Sequence, residues 1–185
     1  MPYLNEQARK ELLSIARNTL EKYLAESKVS RIEPSAPVLR EHAGAFVSLH
    51  KGGELRGCIG QITQDRALYQ VVQDCAVSAA TEDPRFPPVT ADEAPGLEIE
   101  ISVLTPMKPV ADVAEVEVGR HGLLISQGSR RGLLLPQVAA RYNWSREAFL
   151  CQTCRKAGLP DNAWSDRSTS IYSFEAEVFS EAEII

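Results

Sequence analysis

Two glycine-cornered hairpins restrict the folds open to this chain more than any other feature. Ala45 to Lys51, Gly52-Gly53 and Glu54 to Ile62 read as two strands joined by a two-residue turn. The glycine pair supplies the positive φ angles that a type I′ turn demands. Gly122 to Gln127 and Gly132 to Leu135 repeat the pattern, turning through Gly128-Ser129-Arg130. Each hairpin leads into a helical segment. Arg56-Gly57-Cys58-Ile59-Gly60-Gln61-Ile62 and Arg131-Gly132-Leu133-Leu134-Leu135-Pro136-Gln137-Val138 match, with one inserted residue, at Arg-Gly and at Gln followed by a β-branched residue. A duplicated hairpin-helix unit and a chance likeness both account for this echo. Strands and helices alternate without long β-α-β crossovers. The expected class is therefore α+β, a mainly antiparallel sheet with packed helices.

The other elements follow from periodicity. Ala8, Leu12, Ile15, Ala16, Leu20, Tyr23 and Leu24 recur at steps of three and four, an amphipathic helix over 6–24 with Asn5 as N-cap. Leu68, Val71, Val72, Cys75, Ala76 and Ala79 mark a second helix, with Asp65 as its expected cap and Pro84 as its stop. Asp83-Pro84-Arg85-Phe86-Pro87-Pro88 is expected to be an extended, stiff loop. Leu97, Ile99, Ile101 and Val103 alternate with polar residues as a half-buried strand. Pro136 opens a short helix, and Ser145 caps another, with Trp144 and Phe149 as its hydrophobic staple. Ile171 to Phe179 alternates as one final strand.

Composition narrows the function classes. The 185 residues carry a net charge of −5, which argues against electrostatic capture of nucleic acid or anionic membrane. Arg120, Arg130 and Arg131 are the candidates for a local basic patch. No apolar run approaches the roughly 20 residues a membrane span needs. The start Met1-Pro2-Tyr3-Leu4-Asn5 goes straight into a charged helix, without the basic and apolar regions of a secretory signal. A cytoplasmic location is expected, and the four cysteines are expected to stay reduced there.

Counting back from the Gly52-Gly53 turn sets Lys51 against Glu54, Leu49 against Arg56 and Val47 against Cys58. Cys58 then lies among apolar neighbours beside an arginine. Three readings follow: a buried thiol acting as a small hydrophobe, the wall of a ligand site, or a nucleophile activated by Arg56. The first is favoured. Gly57 and Gly60 leave room for a ligand near the backbone. Asp83 and Arg85 either bind a polar ligand or clamp the helix end as an ion pair. His121, beside Gly122, is the candidate proton shuttle, set against an ordinary polar loop histidine. Cys151 and Cys154 form a C-x-x-C inside a helix. With no second ligand pair it is expected to be structural, so neither metal nor cofactor is expected.

Leu55-Arg56-Gly57-Cys58-Ile59-Gly60 resembles the signature hexapeptide of the AMMECR domain family. Further blocks resemble that family in order: Asp83 to Pro88, His121-Gly122, Leu134-Leu135-Pro136 with Val138-Ala139, Trp144, and Lys156-Ala157-Gly158-Leu159-Pro160 with Trp164. The resemblance covers nearly the whole chain. It implies one AMMECR-type domain over 1–185, built from two repeats, each of three strands and two helices, that close a barrel-like sheet. It also implies a larger and a smaller lobe with a cleft between them. The partners it implies are a Memo-type protein and a radical S-adenosylmethionine protein. It supplies no established activity.

The leading expectation is accordingly a cytosolic protein that binds a small-molecule ligand or a partner in a cleft lined by Arg56, Gly57, Cys58, Gly60, Asp83, Arg85 and His121, with Trp144 nearby. An enzyme using Cys58 as nucleophile and His121 as base is the alternative, and a nucleic-acid-binding module is the third.

Overall fold

In the computed structural model, which describes residues 3–184, helix α1 (Glu6–Glu26) comes first. Met1, Pro2 and Ile185 lie outside the described residues, and with them the first two positions of the amino-terminal reading. Asn5 caps α1 through its Oδ1, which accepts the Ala8 N–H at 2.8 Å. Leu12, Leu13, Ala16 and Leu20 are fully buried along one face. A 3₁₀ turn, Pro37–Arg40, precedes the first hairpin, β1 (Ala45–Lys51) and β2 (Glu54–Gln61). Helix α2 (Leu68–Thr81), strand β3 (Leu97–Leu104) and the short β4 (Lys108–Pro109) follow. The second hairpin is β5 (Gly122–Gln127) and β6 (Arg130–Leu134). Then come α3 (Pro136–Arg141), α4 (Arg146–Lys156), β7 (Ser170–Phe174), β8 (Ala176–Ser180) and α5 (Glu181–Ile184).

The chain divides into a larger unit, up to Leu104 and again from Glu177, and a smaller one, Thr105–Ala176. The larger unit holds the sheet β2-β1-β3-β8 and the smaller one β4-β7-β5-β6. The described strands close no barrel. Each hairpin pairs with its own return strand, so two open four-stranded sheets replace the barrel-like one that the resemblance implies. Ile171 to Phe179 is likewise two strands: β7 stays in the smaller sheet while β8 lies beside β3 in the larger. Among the described residues no helix is long and apolar enough to cross a membrane.

Both units repeat one plan, and glycine makes it possible. In each, the first hairpin strand pairs antiparallel with its hairpin partner on one side and with the return strand on the other. A helix packs so closely on the second hairpin strand that no side chain fits between them. A Cβ on Gly57 would sit 2.1 Å from the Ala79 carbonyl oxygen in α2. A Cβ on Gly132 would sit 2.3 Å from the Ala157 nitrogen just past α4. The Arg-Gly echo is therefore the mark of equivalent helix-on-strand contacts, which favours duplication over chance.

Local signals fare unevenly. Ser145 caps α4 through its Oγ, which accepts the Ala148 N–H at 3.1 Å, and the Trp144 and Phe149 rings lie 6.5 Å apart. Asp65 does not cap α2. The helix starts at Leu68, whose N–H donates to the Glu41 carbonyl at 2.9 Å beside a bridge between His42 and Ala67. Backbone from the preceding loop supplies the acceptor, so the side-chain cap is not used. The Asp83–Pro88 segment begins as a turn closed by Phe86 N–H to the Asp83 carbonyl and becomes extended only after it.

Candidate functional site

The first hairpin contains a bulge that changes the face on which Cys58 stands. Gly52 and Gly53 take φ values of 59° and 83°, and Lys51 faces Glu54 across the turn. The register then slips between Leu49 and His50: His50 faces Leu55, Leu49 faces Gly57, Ser48 faces Cys58 and Val47 faces Ile59. Arg56 is the extra residue. One inserted residue moves every later side chain to the opposite face. The pairings of Arg56 with Leu49 and of Cys58 with Val47 are thereby corrected. Gly57 points at the core and Cys58 points away from it.

That outer face has a definite chemistry. Across three strands, Cys58 on β2, Ser48 on β1 and Glu100 on β3 form one row. Ser48 Oγ donates to Cys58 Sγ at 3.1 Å. His50 is next along β1 on the same face, between Leu55 and Glu98. Its Nε2 is buried, has no hydrogen-bond partner, and lies 3.9 Å from Glu100 Oε1. In the other direction Phe46 covers Gly60, where a Cβ would fall 2.2 Å from the ring. Cys58 itself is half-buried, unlike Cys75 and Cys154, which are buried. Burial pushes the Cys75 thiol up to about 12 and raises that of Cys154 as well.

The flanking charges are committed to architecture. Arg56 grips Glu93 with two nitrogens, at 3.2 and 3.1 Å, and donates to the Pro87 carbonyl at 2.8 Å. Glu93 also accepts from Lys51 Nζ at 2.9 Å and from the Thr90 N–H at 3.0 Å. The Arg56 guanidinium holds the Glu93 carboxyl down at about 2. Asp83 is nearly buried. Its Oδ2 accepts the Cys58 N–H at 2.9 Å, and both oxygens accept from Arg85, at 3.0 and 2.7 Å. The Arg85 hydrogen bonds hold Asp83 well below the usual carboxylate range. Asp83 thus covers an otherwise unpaired N–H of the edge strand. Arg85 stays exposed, over the Phe86 ring and within electrostatic reach of Cys58.

Hydrogen bonds thus bring Cys58, Asp83 and Arg85 together, while Arg56 is bound separately to Glu93. His121 and Trp144 belong to the smaller unit. His121 Nδ1 accepts the Glu117 N–H at 3.0 Å, so the neutral ring carries its proton on Nε2, 4.0 Å from Glu175. Nδ1 is therefore engaged within the Glu117–His121 turn, and Nε2 faces Glu175. Trp144 stacks with the exposed Tyr142 at 5.2 Å. The C-x-x-C cysteines are both free, and the described residues contain no cluster of three or more His, Cys, Asp or Glu arranged for a metal. Ser48, His50 and Glu100 are the residues that sequence reasoning missed. Their strict alternation with Val47, Leu49 and Ile99 marked them as outward-facing, but the unseen bulge kept Cys58 off their face.

Comparison with known proteins agrees with this architecture. A protein of Methanothermobacter thermautotrophicus is 44% identical over 185 residues, covering 96% of each chain. One of Methanocaldococcus jannaschii is 43% identical over 91% of this chain and 87% of its own. The crystal structure of the uncharacterized protein PH0010 from Pyrococcus horikoshii superposes with a TM-score of 0.81 at 40% identity, covering 92% of this chain and 89% of its own. The AMMECR1 family profile matches residues 13–179, and with relatives this close over nearly the whole length, the chain belongs to the AMMECR1 family.

Proposed function

We propose that this chain is a ligand-binding protein whose site is the outer face of the larger sheet, centred on Cys58. The observation that carries the proposal is a contrast between equivalent rows. In the larger unit the row beyond the helix-contact glycine is Cys58–Ser48–Glu100. In the smaller unit the corresponding row is Leu133–Leu124–Tyr172. The same scaffold tolerates two leucines and a tyrosine in this row, so the thiol, hydroxyl and carboxylate are not demanded by folding. Polar groups assembled on a half-buried face, one of them without a partner, are the mark of a surface awaiting a ligand. Asp83 and Arg85 frame its edge, and Arg85 offers an exposed guanidinium to a polar ligand. As part of this proposal the protein serves in the cytoplasm beside a Memo-type and a radical S-adenosylmethionine protein.

A screen of small polar fragments, read by amide chemical shifts of the full chain, tests the site. Binders should shift Ser48, His50, Cys58 and Glu100 together and lose affinity in Cys58→Trp, which fills the face. Fragments that cluster elsewhere and bind Cys58→Trp as well as wild type refute the assignment.

A further inference from the structure

We infer that Cys58 and His50 form a nucleophile and proton-acceptor pair on this face, serving electrophiles with an activated acyl carbon. The inference rests on the proposed binding face and deepens it. A nucleophilic thiol needs accessibility, a donor that favours the sulfur anion, and a base whose charged form is supported by a third group. The outer face supplies each. Cys58 is half-buried rather than sealed, and Ser48 Oγ donates to its sulfur at 3.1 Å. His50 shares the face, one step along β1 from Ser48, and its Nε2 is spent on no hydrogen bond. Glu100, in the Ser48 row, lies 3.9 Å from that nitrogen and is placed to favour the imidazolium once a proton arrives.

The charged and titratable groups around the pair come from every neighbouring element: Glu98 and Glu100 from β3, Asp83 and Arg85 from the loop after α2, and Cys75 from α2. Asp83 is neutralised by Arg85. Glu98 and Glu100 are the carboxylates that β3 places beside His50. His121 is a poorer base, because its Nδ1 is engaged by the Glu117 N–H and its Nε2 carries the ring proton.

In the step itself the sulfur attacks the acyl carbon and an S–C bond forms. The thiol proton passes to His50 Nε2, and the Ser48 hydroxyl, which donates to the sulfur, stays in place to stabilise the anion. The bond to the leaving group breaks, and the departing alkoxide or thiolate keeps the bonding pair and takes the proton back from the imidazolium. Water then cleaves the thioester by the reverse traffic, releasing the acid and restoring the thiol. No oxidant or reductant enters.

The test uses 4-nitrophenyl acetate on the full chain, with acetylation of each cysteine read by peptide mass spectrometry across the range in which imidazoles titrate, near pH 6.5. Cys58 should be acetylated at least about tenfold faster than Cys75. His50→Gln should slow Cys58 by about tenfold or more and remove the imidazole inflection from its pH profile. Glu100→Gln, which keeps the shape of the row, should slow it less and shift the inflection. His121→Gln should change neither. A fast Cys58 whose profile is the same in His50→Gln and Glu100→Gln overturns the pairing and leaves the binding face standing. A Cys58 as slow as Cys75 overturns the pairing together with the accessibility that the binding face requires.

Discussion

Replacing Gly57 with alanine tests how the larger unit holds its functional strand in place. The added Cβ would lie 2.1 Å from the Ala79 carbonyl oxygen and 3.1 Å from its carbonyl carbon. Even the closest tolerated C–H···O contacts keep carbon and oxygen about 3.3 Å apart. Helix and strand must therefore separate by more than about an ångström, and neither clashing atom is a flexible side chain. Overpacking of this kind costs about 1–3 kcal/mol, and a backbone-on-backbone clash belongs at the upper end. At about 2–4 °C per kcal/mol for a chain of this size, the melting temperature should fall by about 6–12 °C. Calorimetry of Gly57→Ala beside Gly96→Ala gives the measurement its control, because Gly96 has nothing within 4 Å of the new Cβ and no positive φ. Melting of Gly57→Ala within about 2 °C of wild type would show that α2 does not sit on β2 at this point, and the equivalence of the two units would go with it.

Two other predictions rest on turn geometry and on charge. Gly52→Ala with Gly53→Ala forces positive φ on two residues with open space around them, so the cost is conformational alone, about 1 kcal/mol each, and an unchanged melting temperature refutes the type I′ turn. Glu93 is held at about 2, against an ordinary 4.5, and Asp83 is depressed in the same sense. Both then bind protons more readily unfolded than folded, so their contribution is complete above about pH 4.5 and is lost as the pH falls toward 2. Urea midpoints taken down that range should fall less steeply in Glu93→Gln than in wild type, and parallel slopes would refute the role given to the Arg56–Glu93 pair.

Much of the fold was legible because its signals are local. The Asn5 and Ser145 caps, the Gly-Gly turn and the apolar stripes of α1 and α2 each act within a few residues, and each appears where the pattern places it. What was not legible depends on partners distant in sequence. α2 begins without Asp65 because backbone near Glu41 and His42 meets it. The run from Ile171 to Phe179 alternates without interruption, yet its halves pair with strands of different sheets. Alternation reports that a strand has two faces and is silent about which neighbour it pairs with.

The site turned on one residue. Arg56 was visible as an arginine beside a cysteine, which suggests electrostatic activation of the thiol. Its consequence is geometric. As the inserted residue of a bulge it leaves the ladder, spends its guanidinium on Glu93 and Pro87, and turns Gly57 inward and Cys58 outward. A sequence argument could have found this from Gly57. If the duplication is real, Gly57 and Gly132 must occupy the same helix-facing position, and Gly132 reaches it in an unbroken ladder opposite Ile125. The first hairpin has one more residue between its turn and its glycine, so the two glycines can face their helices alike only if the first ladder carries a bulge. That slip puts Cys58 opposite Ser48 and, through Ser48, in line with Glu100 and within the same surface as His50. The bulge thus absorbs the inserted arginine and keeps Cys58 on the outward face with polar company, at the place where the smaller unit, lacking the insertion, presents Leu133.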